Sequence, residues 1–268
     1  MAPLSVVIIA KNEAGRIKDC IESVHEWADE IVVIDDESTD NTRAIALKYT
    51  PAIYSRRMEL EGKQRNFAAS QAKNDWIMLL DCDERPTPEL KEEIAAVLKE
   101  PDPKIAAYWA PQINYLGDMP LLHGGWSSPH IRLYNKNRMS WSEAVYDVIH
   151  PGIKTKEGFR GGHLKSATIH YSFRNVEDLV AKINRYSTME AFKWYMDKRD
   201  MPLIKALWRA WDRFFRRLVA KKGYKDGYFG FVAAVVSSFN ELAVYSKYRE
   251  MKEKGHYLDR FKAKGLIA

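Results

Sequence analysis

Cysteine is scarce in this sequence, with Cys20 and Cys82 the only two among 268 residues. Two cysteines are too few for a disulfide framework and favour a reducing compartment. The chain begins with a strand-like run at residues 4–9 instead of a basic segment and a small-residue cleavage site, so we expect no secretory signal. A composition with 46% apolar residues, 14 Gly and 11 Pro excludes disordered, collagen-like and low-complexity chains.

Two phosphate-binding motifs are missing as well. No Gly-x-Gly-x-x-Gly follows the first predicted strand, and no Gly-x-x-x-x-Gly-Lys-Ser/Thr occurs, so neither a Rossmann nor a P-loop phosphate cradle is present. The apolar stretch at residues 228–239 covers about twelve positions, whereas a membrane-spanning helix needs about 20. We therefore expect a core or interfacial helix there and no transmembrane segment.

The first hundred residues alternate between short apolar runs and helical patterns. The runs lie at residues 5–10, 30–36, 52–54 and 76–80, and the helical spacings at 16–27, 63–72 and 89–100. This alternation predicts an α/β fold with a mostly parallel sheet flanked by helices. Residues 108–171 favour short strands and turns, and the chain from residue 176 onward is predicted to be a helical extension.

The sharpest polar cluster, Asp81-Cys82-Asp83, comes directly after the fourth predicted strand. Ligands gather at the carboxyl ends of strands in such sheets. Two carboxylates there form a hard oxygen site for Mg²⁺ or Mn²⁺, which would neutralise charge on a departing diphosphate. Asp-x-Asp also occurs in ordinary solvated loops, but its position after an apolar strand favours the metal site. Cys82 is predicted to be a buried filler, since a thiolate suits a hard cation poorly.

Two further clusters have alternative interpretations. Asp35 and Asp36 end the second strand, where a carboxylate accepts hydrogen bonds from a base N–H or ribose hydroxyls, or caps the following helix. Lys63 and Arg65 would pair either with phosphate or with nearby acidic side chains.

These segments together resemble the successive motifs of the family 2 glycosyltransferases, which have the GT-A fold. The matching segments are SVVIIAKNE at 5–13, VVIDDESTDNT at 32–42, GKQRNFA at 62–68 and LLDCDE at 79–84. The segments at 132–134, 141–149, 170–172 and 182–187 resemble the lipopolysaccharide core glucosyltransferase-like branch of that family. The resemblance spans roughly residues 4 to 250.

The resemblance implies a nucleotide-sugar donor such as UDP-glucose, inverting transfer and a divalent cation. It implies that Ala10 and Glu13 lie near the nucleotide. Asp36 would bind the base or ribose with Lys63 and Arg65 nearby, and Asp81 and Asp83 would form the metal and diphosphate site.

Inverting transfer requires a general base that deprotonates the acceptor hydroxyl. The branch usually has a His-Glu pair at this point, whereas this sequence has Val145-Tyr146-Asp147. We predict Asp147 as the base, with Glu143 as the alternative. Because Asp is one methylene shorter than Glu, the acceptor must approach more closely.

Three other side chains are candidates for the site. His170 completes the metal shell or touches phosphate, or it is a structural histidine. Trp126 and Arg132 are predicted to line the acceptor cleft, since Trp faces stack on sugars.

Positive charge is concentrated in one region, because ten Lys and Arg but only two Asp lie between residues 198 and 225. Lys205, Arg209, Arg213 and Arg217 recur at four-residue intervals, with apolar and aromatic residues on the opposite helical face. Such a helix is typical of a membrane interface. We expect residues 203–219 to bind an anionic membrane surface and not nucleic acid; the alternative is a helix packed on the catalytic domain with its charged face in water.

The sequence thus predicts a nucleotide-sugar half at 1–100, an acceptor half of the same domain at 101–175, and a helical, basic, membrane-associating extension at 176–268. The predicted function is inverting, metal-dependent hexose transfer to a lipopolysaccharide-core or other lipid-linked saccharide, by a cytoplasmic protein on the inner face of the membrane. The alternatives are a polyprenyl-phosphate hexosyltransferase and a non-catalytic basic module that binds lipid or RNA.

Overall fold

The computed structural model describes residues 1–144 and 151–263, which divide into two compact units. Unit 1 comprises Met1–Gln112 and Ser128–His170, and unit 2 comprises Ile113–Ser127 and the described part of Tyr171–Ala268. Residues 113–127 therefore belong with the C-terminal helices. The functional division at residues 100 and 175 stays a prediction.

The strands of the described residues are, in chain order, β1 (Leu4–Ala10), β2 (Glu30–Asp35), β3 (Ile53–Ser55), β4 (Trp76–Asp81), β5 (Glu84–Pro86), β6 (Ile105–Ala110), β7 (Gln112–Leu116), β8 (Met119–Leu121), β9 (His130–Asn135), β10 (Met139–Trp141), β11 (Ile153–Thr155), β12 (Arg160–His163) and β13 (Thr168–Phe173). The α-helices are α1 (Ile17–His25), α2 (Thr42–Ala46), α3 (Glu61–Gln71), α4 (Pro88–Lys99), α5 (Val176–Met196), α6 (Leu203–Phe215), α7 (Gly227–Lys254) and α8 (Leu258–Lys262). A π-helical turn, Arg216–Ala220, continues α6, and a 3-10 turn, Gly223–Asp226, precedes α7.

Unit 1 contains a seven-stranded sheet in the order β12-β6-β9-β4-β1-β2-β3. The four strands β4, β1, β2 and β3 are parallel, whereas β9 runs antiparallel to both β4 and β6. The prediction of an α/β fold with a mostly parallel sheet is confirmed.

The central strands are buried on both faces because alternate side chains enter two different cores. Val6 and Ile8 of β1 pack in the core that includes apolar residues of α1 and α4. Val7, between them, packs in the core that includes Ala68 and Ala69 of α3. The continuous apolar runs of the sequence thus fill a three-layer arrangement of helices, sheet and helix.

Two shorter pairings complete unit 1. β5 pairs antiparallel with the start of β13, which sets His170 opposite Glu84. β10 pairs antiparallel with β11, and the backbone N–H of Ser142 donates to the carbonyl of Gly152 at 2.7 Å. The second of these pairings fixes the backbone on either side of residues 145–150.

Unit 2 contains β7 from Ile113 onward, β8, the part of β13 from Tyr171 onward, and helices α5 to α8. Within it, α7 packs against both α5 and α6. Among the described residues, the helical segment Gly223–Lys254 has the length and apolar composition to cross a membrane. Core helices of soluble proteins also have these properties, and 33% of the most apolar window of this segment is buried.

The basic stripe of α6 faces inward, which differs from the predicted orientation. The guanidinium groups of Arg209 and Arg213 both pair with the carboxylate of Glu241 on α7, which is 1% exposed. Arg217 lies over the ring of Trp126 at 4.2 Å and donates to the carbonyl of Gly124. Burial, together with the neighbouring charges of Arg213 and Arg216, lowers the pKa of Arg217 to about 10.

Because these arginines are turned into unit 2, they do not form the outer face of α6. The aromatic face is exposed instead, including Trp208 and Trp211. This is the reverse of a helix packed on the domain with its charged face in water. Binding of residues 203–219 to a membrane surface stays a prediction.

Candidate active site

Three polar clusters lie at one edge of the sheet because three neighbouring strands end there. In the β-sheet register, Ala10 of β1 pairs with Asp35 of β2, and Ile9 of β1 pairs with Asp81 of β4. The backbone N–H of Asp36 also donates to the carbonyl of Ala10 at 2.8 Å. The strand ends therefore bring the Asp81 turn and the Asp36 loop to the same edge, as the parallel topology predicts.

Cys82 anchors the turn between the two aspartates. Its Sγ lies 3.9 Å from the carbonyl of Ile9, and Cys20 Sγ donates to the carbonyl of Asp81 at 3.4 Å. A hydrogen bond with Cys20 and burial raise the pKa of Cys82 well above its usual range. The thiol therefore stays neutral, as expected of a buried filler and not of a metal ligand.

Asp83 lies between two cationic groups. Its Oδ2 is 3.4 Å from Nε2 of His170 and 3.7 Å from Nη1 of Arg16. Burial alone would lower the pKa of His170, but the hydrogen bond with Asp83 and the charges of Asp83, Glu84 and Asp81 outweigh burial and raise it. His170 thus has an environment that favours its protonated form.

The side chains at this turn fit a metal that is shared with a substrate. Within residues 1–144 and 151–263, no group of three or more His, Cys, Asp and Glu side chains is arranged to hold a metal ion on its own. Mg²⁺ and similar hard cations commonly bind one or two carboxylates and complete their shell with waters and substrate phosphates. Asp81 and Asp83, both only partly buried, supply such an incomplete set.

A buried charge pair supports the turn from below. Glu84 is 1% exposed and accepts hydrogen bonds from both terminal nitrogens of Arg132, one of them at 2.7 Å. It also accepts from Gln112 Nε2 at 2.6 Å and from the backbone N–H of Asp81 at 3.0 Å. Burial raises the pKa of Glu84, and the charge of Arg132 opposes that shift without cancelling it. The network ties the backbone of Asp81 directly to the core.

This network changes the interpretation of Arg132. The sequence predicts it at the acceptor cleft, but the structure gives it 3% exposure and a two-point contact with Glu84. Both terminal nitrogens of this guanidinium already donate to Glu84, and the side chain is buried, so it does not line an open cleft. The available sequence signal was its place inside an apolar strand, since a buried Arg requires a buried acidic partner.

Asp36 is built into the loop beside the β1 end. Its Oδ1 accepts the backbone N–H of Met58 at 2.8 Å, and its Oδ2 pairs with Lys11 Nζ at 3.0 Å. The capping alternative for Asp36 is not observed, because Asp40 is the residue that accepts the backbone N–H of Thr42. The hydroxyl of Thr42, which lowers the pKa of Asp40, also accepts the backbone N–H of Glu13 at 2.7 Å.

Lys63 and Arg65 each form an ion pair with a nearby glutamate, on α3 or just before it. Lys63 Nζ lies 3.1 Å from Glu59, and Arg65 pairs with Glu61. The guanidinium of Arg65 also stacks 4.3 Å from the ring centre of Trp141. Their predicted role toward phosphate stays a prediction.

Two other residues of the same helix have a role that sequence reasoning missed. A Cβ on Gly62 would lie 1.8 Å from the carbonyl oxygen of Ser142, so only glycine permits this close approach. Asn66 bonds both the N–H and the C=O of Trp141, at 2.9 and 3.0 Å, and donates to Glu143 at 2.7 Å. Helix α3 is thereby fixed against the chain that leads to Asp147.

The remaining predicted residues have varied surroundings. Asp147 lies outside the described residues, whereas Glu143 is exposed and accepts the Asn66 hydrogen bond. Trp126 belongs to unit 2, where its carbonyl accepts from Asn114 and its ring contacts Phe173 and Arg217. The acceptor role of Trp126 stays a prediction.

A mostly parallel sheet with an Asp-x-Asp turn and a second acidic loop at its carboxyl edge is the arrangement of a GT-A-like fold. Comparison with known families agrees, since residues 5–150 match the family described as "Glycosyl transferase family 2". The chain belongs to that family.

Two relatives resemble the chain over most of its length. An uncharacterized glycosyltransferase of Rickettsia bellii is 30% identical over 260 residues, 92% of this chain and 86% of the relative. The lipopolysaccharide core biosynthesis glycosyltransferase LpsC of Rhizobium meliloti is 28% identical over 246 residues, 88% of each chain. Glucosyl-3-phosphoglycerate synthase of Mycobacterium tuberculosis matches in part, at 22% identity and a TM-score of 0.36 over 41% of this chain and 44% of that one.

Proposed function

We propose that this enzyme transfers a hexose, with inversion, from a nucleotide-diphosphate sugar to a lipopolysaccharide-core or other lipid-linked saccharide. UDP-glucose or a similar sugar is the proposed donor. The observation that carries the proposal is the joint position of the Asp81–Asp83 turn and the Asp36 loop at one sheet edge. The similarity to LpsC, which covers 88% of each chain, supports a lipopolysaccharide-core acceptor.

In this proposal the two ends of the nucleotide sugar are bound by different strand ends. Asp36 binds the base or ribose, with Ala10 and Glu13 beside the nucleotide and Lys63 and Arg65 on the phosphate side. Asp81 and Asp83 would hold Mg²⁺ or Mn²⁺, whose charge supports departure of the diphosphate. Glu84 and Arg132 act as positioning residues, because they fix the backbone of the turn.

The reaction needs a carboxylate that deprotonates the acceptor hydroxyl and a cationic group that stabilises the negative charge of the departing diphosphate. Asp147 is the proposed general base, with Glu143 as the alternative. His170 contacts Asp83. Its protonated ring would add a positive charge beside the diphosphate, whereas only its neutral ring could complete the metal shell. We further propose that Trp126 contributes an apolar face for the acceptor.

A lipid-linked acceptor places the enzyme at a membrane. We therefore propose a peripheral position on the inner face of the cytoplasmic membrane, with residues 203–219 as the region of contact. Membership in an enzyme family leaves the non-catalytic alternative without support.

The Asp147→Asn variant tests the proposed acceptor chemistry, with Glu143→Gln as its matched variant. The assay measures transfer to a lipopolysaccharide-core saccharide, and calorimetry measures binding of UDP with Mn²⁺. We expect D147N to lose nearly all transfer while UDP binding is retained, because a positioned base contributes about 10²–10⁴-fold.

Unchanged transfer by D147N with a large loss in E143Q would assign the base to Glu143. Unchanged transfer in both variants would overturn both assignments of the general base. Transfer by the wild-type enzyme to a polyprenyl phosphate and not to the saccharide would overturn the saccharide acceptor, because a phosphate is already ionised and needs no base.

A further inference from the structure

Two stripes of exposed apolar side chains adjoin on α6 and α7. The α6 stripe includes Trp208, 63% exposed, and Trp211, 60% exposed. The α7 stripe begins with Tyr228, 70% exposed, and continues at helical spacing through Phe231. The stripes meet where the rings of Phe214 and Phe231 contact at 6.1 Å.

The stripes face outward because the polar side of α6 is already satisfied inside unit 2. Arg209 and Arg213 pair with buried Glu241, and Ser238 donates to the carbonyl of Ala210 at 2.7 Å. An ordinary surface helix turns its charges to water and its apolar side inward. A contiguous apolar patch with the reverse orientation indicates a partner of low polarity.

The charge around the stripes identifies the kind of partner. At the end of α6, a groove of about 420 Å³ is lined by Asp212, Phe215, Arg216, Val219 and Ala220, and within it Arg216 pairs with Asp212 at 3.1 Å. The π-helical turn forms much of this groove, and exposed Lys221, Lys222 and Lys225 follow it. An apolar surface with a cationic rim complements an anionic bilayer, in which acyl chains lie beneath phosphate groups.

We propose that these stripes insert into the headgroup–acyl boundary of an anionic phospholipid bilayer, with Lys221, Lys222 and Lys225 against the lipid phosphates. The inference rests on the proposed function in one respect, since a lipid-linked acceptor requires such a surface. It adds that apolar insertion, and not the Arg209–Arg213 stripe, provides most of the attachment. Trp and Tyr at the boundary fit this arrangement because their rings are apolar and their polar atoms reach the headgroups.

Vesicle flotation of the full-length protein tests the proposal. The vesicles are phosphatidylcholine alone or mixed with phosphatidylglycerol, and the variant is Trp208→Ser combined with Trp211→Ser. Its matched control is Leu47→Ser combined with Val180→Ser, two exposed apolar residues outside the stripes. We expect the wild-type protein to float with the mixed vesicles and the control variant to bind like wild type. The tryptophan variant should bind these vesicles at least about tenfold more weakly.

Salt separates insertion from charge attraction. In salt that shortens the Debye length to about 3 Å, screened charges contribute little. We expect a substantial fraction of wild-type binding to persist there, together with a blue shift of tryptophan fluorescence that the W208S/W211S variant lacks. Binding that salt abolishes and that the tryptophan variant retains would overturn the proposal.

A second copy of the chain is the competing occupant. Light scattering that shows a dimer in the wild type and a monomer in W208S/W211S, without vesicle binding by either, would overturn the bilayer proposal. Binding of UDP with Mn²⁺ is measured on the same samples. Retained UDP binding without flotation contradicts only this inference, whereas flotation without UDP binding contradicts only the proposed enzymatic function.

Discussion

Each unit of the molecule contains a glutamate that is 1% exposed and bound by arginine, but the two pairs support different surfaces. In unit 1, Glu84 is held by Arg132 and accepts the backbone N–H of Asp81. In unit 2, Glu241 is held by Arg209 and Arg213 of the neighbouring helix. The first pair fixes a turn whose carboxylates bind ligands in the proposed function, and the second turns an aromatic helix face outward.

In each unit the buried ion pair holds one side of an element against the protein. The opposite side of that element is then the one that contacts a ligand or a membrane in the proposals above. A buried pair is weak evidence for net stability, because desolvation of both charges offsets their attraction. Removing one partner is nevertheless costly, since it leaves an unpaired charge in the core. The two pairs can therefore be broken separately, and the consequences should fall on different activities.

The largest expected effect is on the reaction rate, when an aspartate of the turn that Glu84 and Arg132 support is replaced. Asp83→Asn should lower the rate of UDP release from UDP-glucose by at least about a hundredfold, because the metal contributes several kcal/mol of charge stabilisation. Thermal unfolding should change little. The control is Asp118→Asn, an exposed aspartate of unit 2, which should leave both properties unchanged. A D83N enzyme with more than half of the wild-type rate would contradict the assignment.

The next largest effect is on folding, from Arg132→Met. Glu84 would keep its burial but lose its charged partner, so the free energy of unfolding should fall by about 3–5 kcal/mol. Urea unfolding measures this loss. The double variant E84M/R132M should recover part of it, because no unpaired charge remains. If R132M were as stable as wild type, the Glu84 pair would not support the turn.

Glu241→Gln breaks the buried pair of unit 2 from its acidic side. We expect a smaller loss of about 1–3 kcal/mol, because Arg209 and Arg213 are partly exposed and can be rehydrated. Binding of UDP with Mn²⁺ should stay within about twofold of wild type, a change of about 0.4 kcal/mol. A large loss of UDP binding in E241Q, without unfolding, would contradict the separation of the two roles.

Asn66→Ala removes an anchor without creating a buried charge. Three hydrogen bonds to Trp141 and Glu143 would be lost, at a cost of about 0.5–1.5 kcal/mol each before water replaces them. We expect kcat to fall more than the affinity for UDP, because the helix fixes the chain that leads to Asp147. Asn66→Gln is the size-matched comparison. Equal effects on kcat and UDP affinity would show that Asn66 does not position the acceptor side selectively.

The smallest effect is a pH-dependent one at Glu93 of α4. Burial alone would raise its pKa, but the backbone N–H groups of Lys165 and Ser166, together with the Ser166 side chain and Lys165 charge, lower it. A carboxylate with a lowered pKa stabilises the fold above its unfolded pKa, and this contribution is lost as the pH falls through the folded value. Glu93→Gln should cost less than about 1 kcal/mol at neutral pH, because solvent screens the group.

Urea unfolding of wild type and E93Q across the acidic range checks the sign. The stability difference should shrink as the pH falls below the usual range of a glutamate. A difference that grew in acid would mean that burial, and not hydrogen bonding, determines the pKa of Glu93.

The sheet and the acidic turn were predictable because their signals are local. Residues 6–10 and 76–80 are apolar at every position, as strands covered on both faces require. The two aspartates follow one of those strands directly, which places them at its carboxyl end. The expectation that Cys82 is a filler followed from the mismatch of a thiolate with a hard cation.

Long-range partners were not predictable from the same patterns. The partner of Arg132 is Glu84, 48 residues earlier, and a strand pattern does not indicate which charges will meet. The α6 sequence indicates two faces, but which face is packed depends on Glu241 of another helix. Gly62 and Asn66 of α3 likewise depend on Ser142 and Trp141, which the chain reaches only after strands β4 to β9.

Calorimetric titration of UDP into the wild-type protein and into an Asp81→Asn/Asp83→Asn double variant, each with and without Mn²⁺, tests the metal site most directly. Asp81 and Asp83 are proposed to hold a cation that in turn binds the diphosphate. We therefore predict that Mn²⁺ tightens UDP binding by at least about tenfold in the wild type, or 1.4 kcal/mol, and has no effect in the variant. Equal Mn²⁺-dependent affinity in both proteins would contradict the metal site.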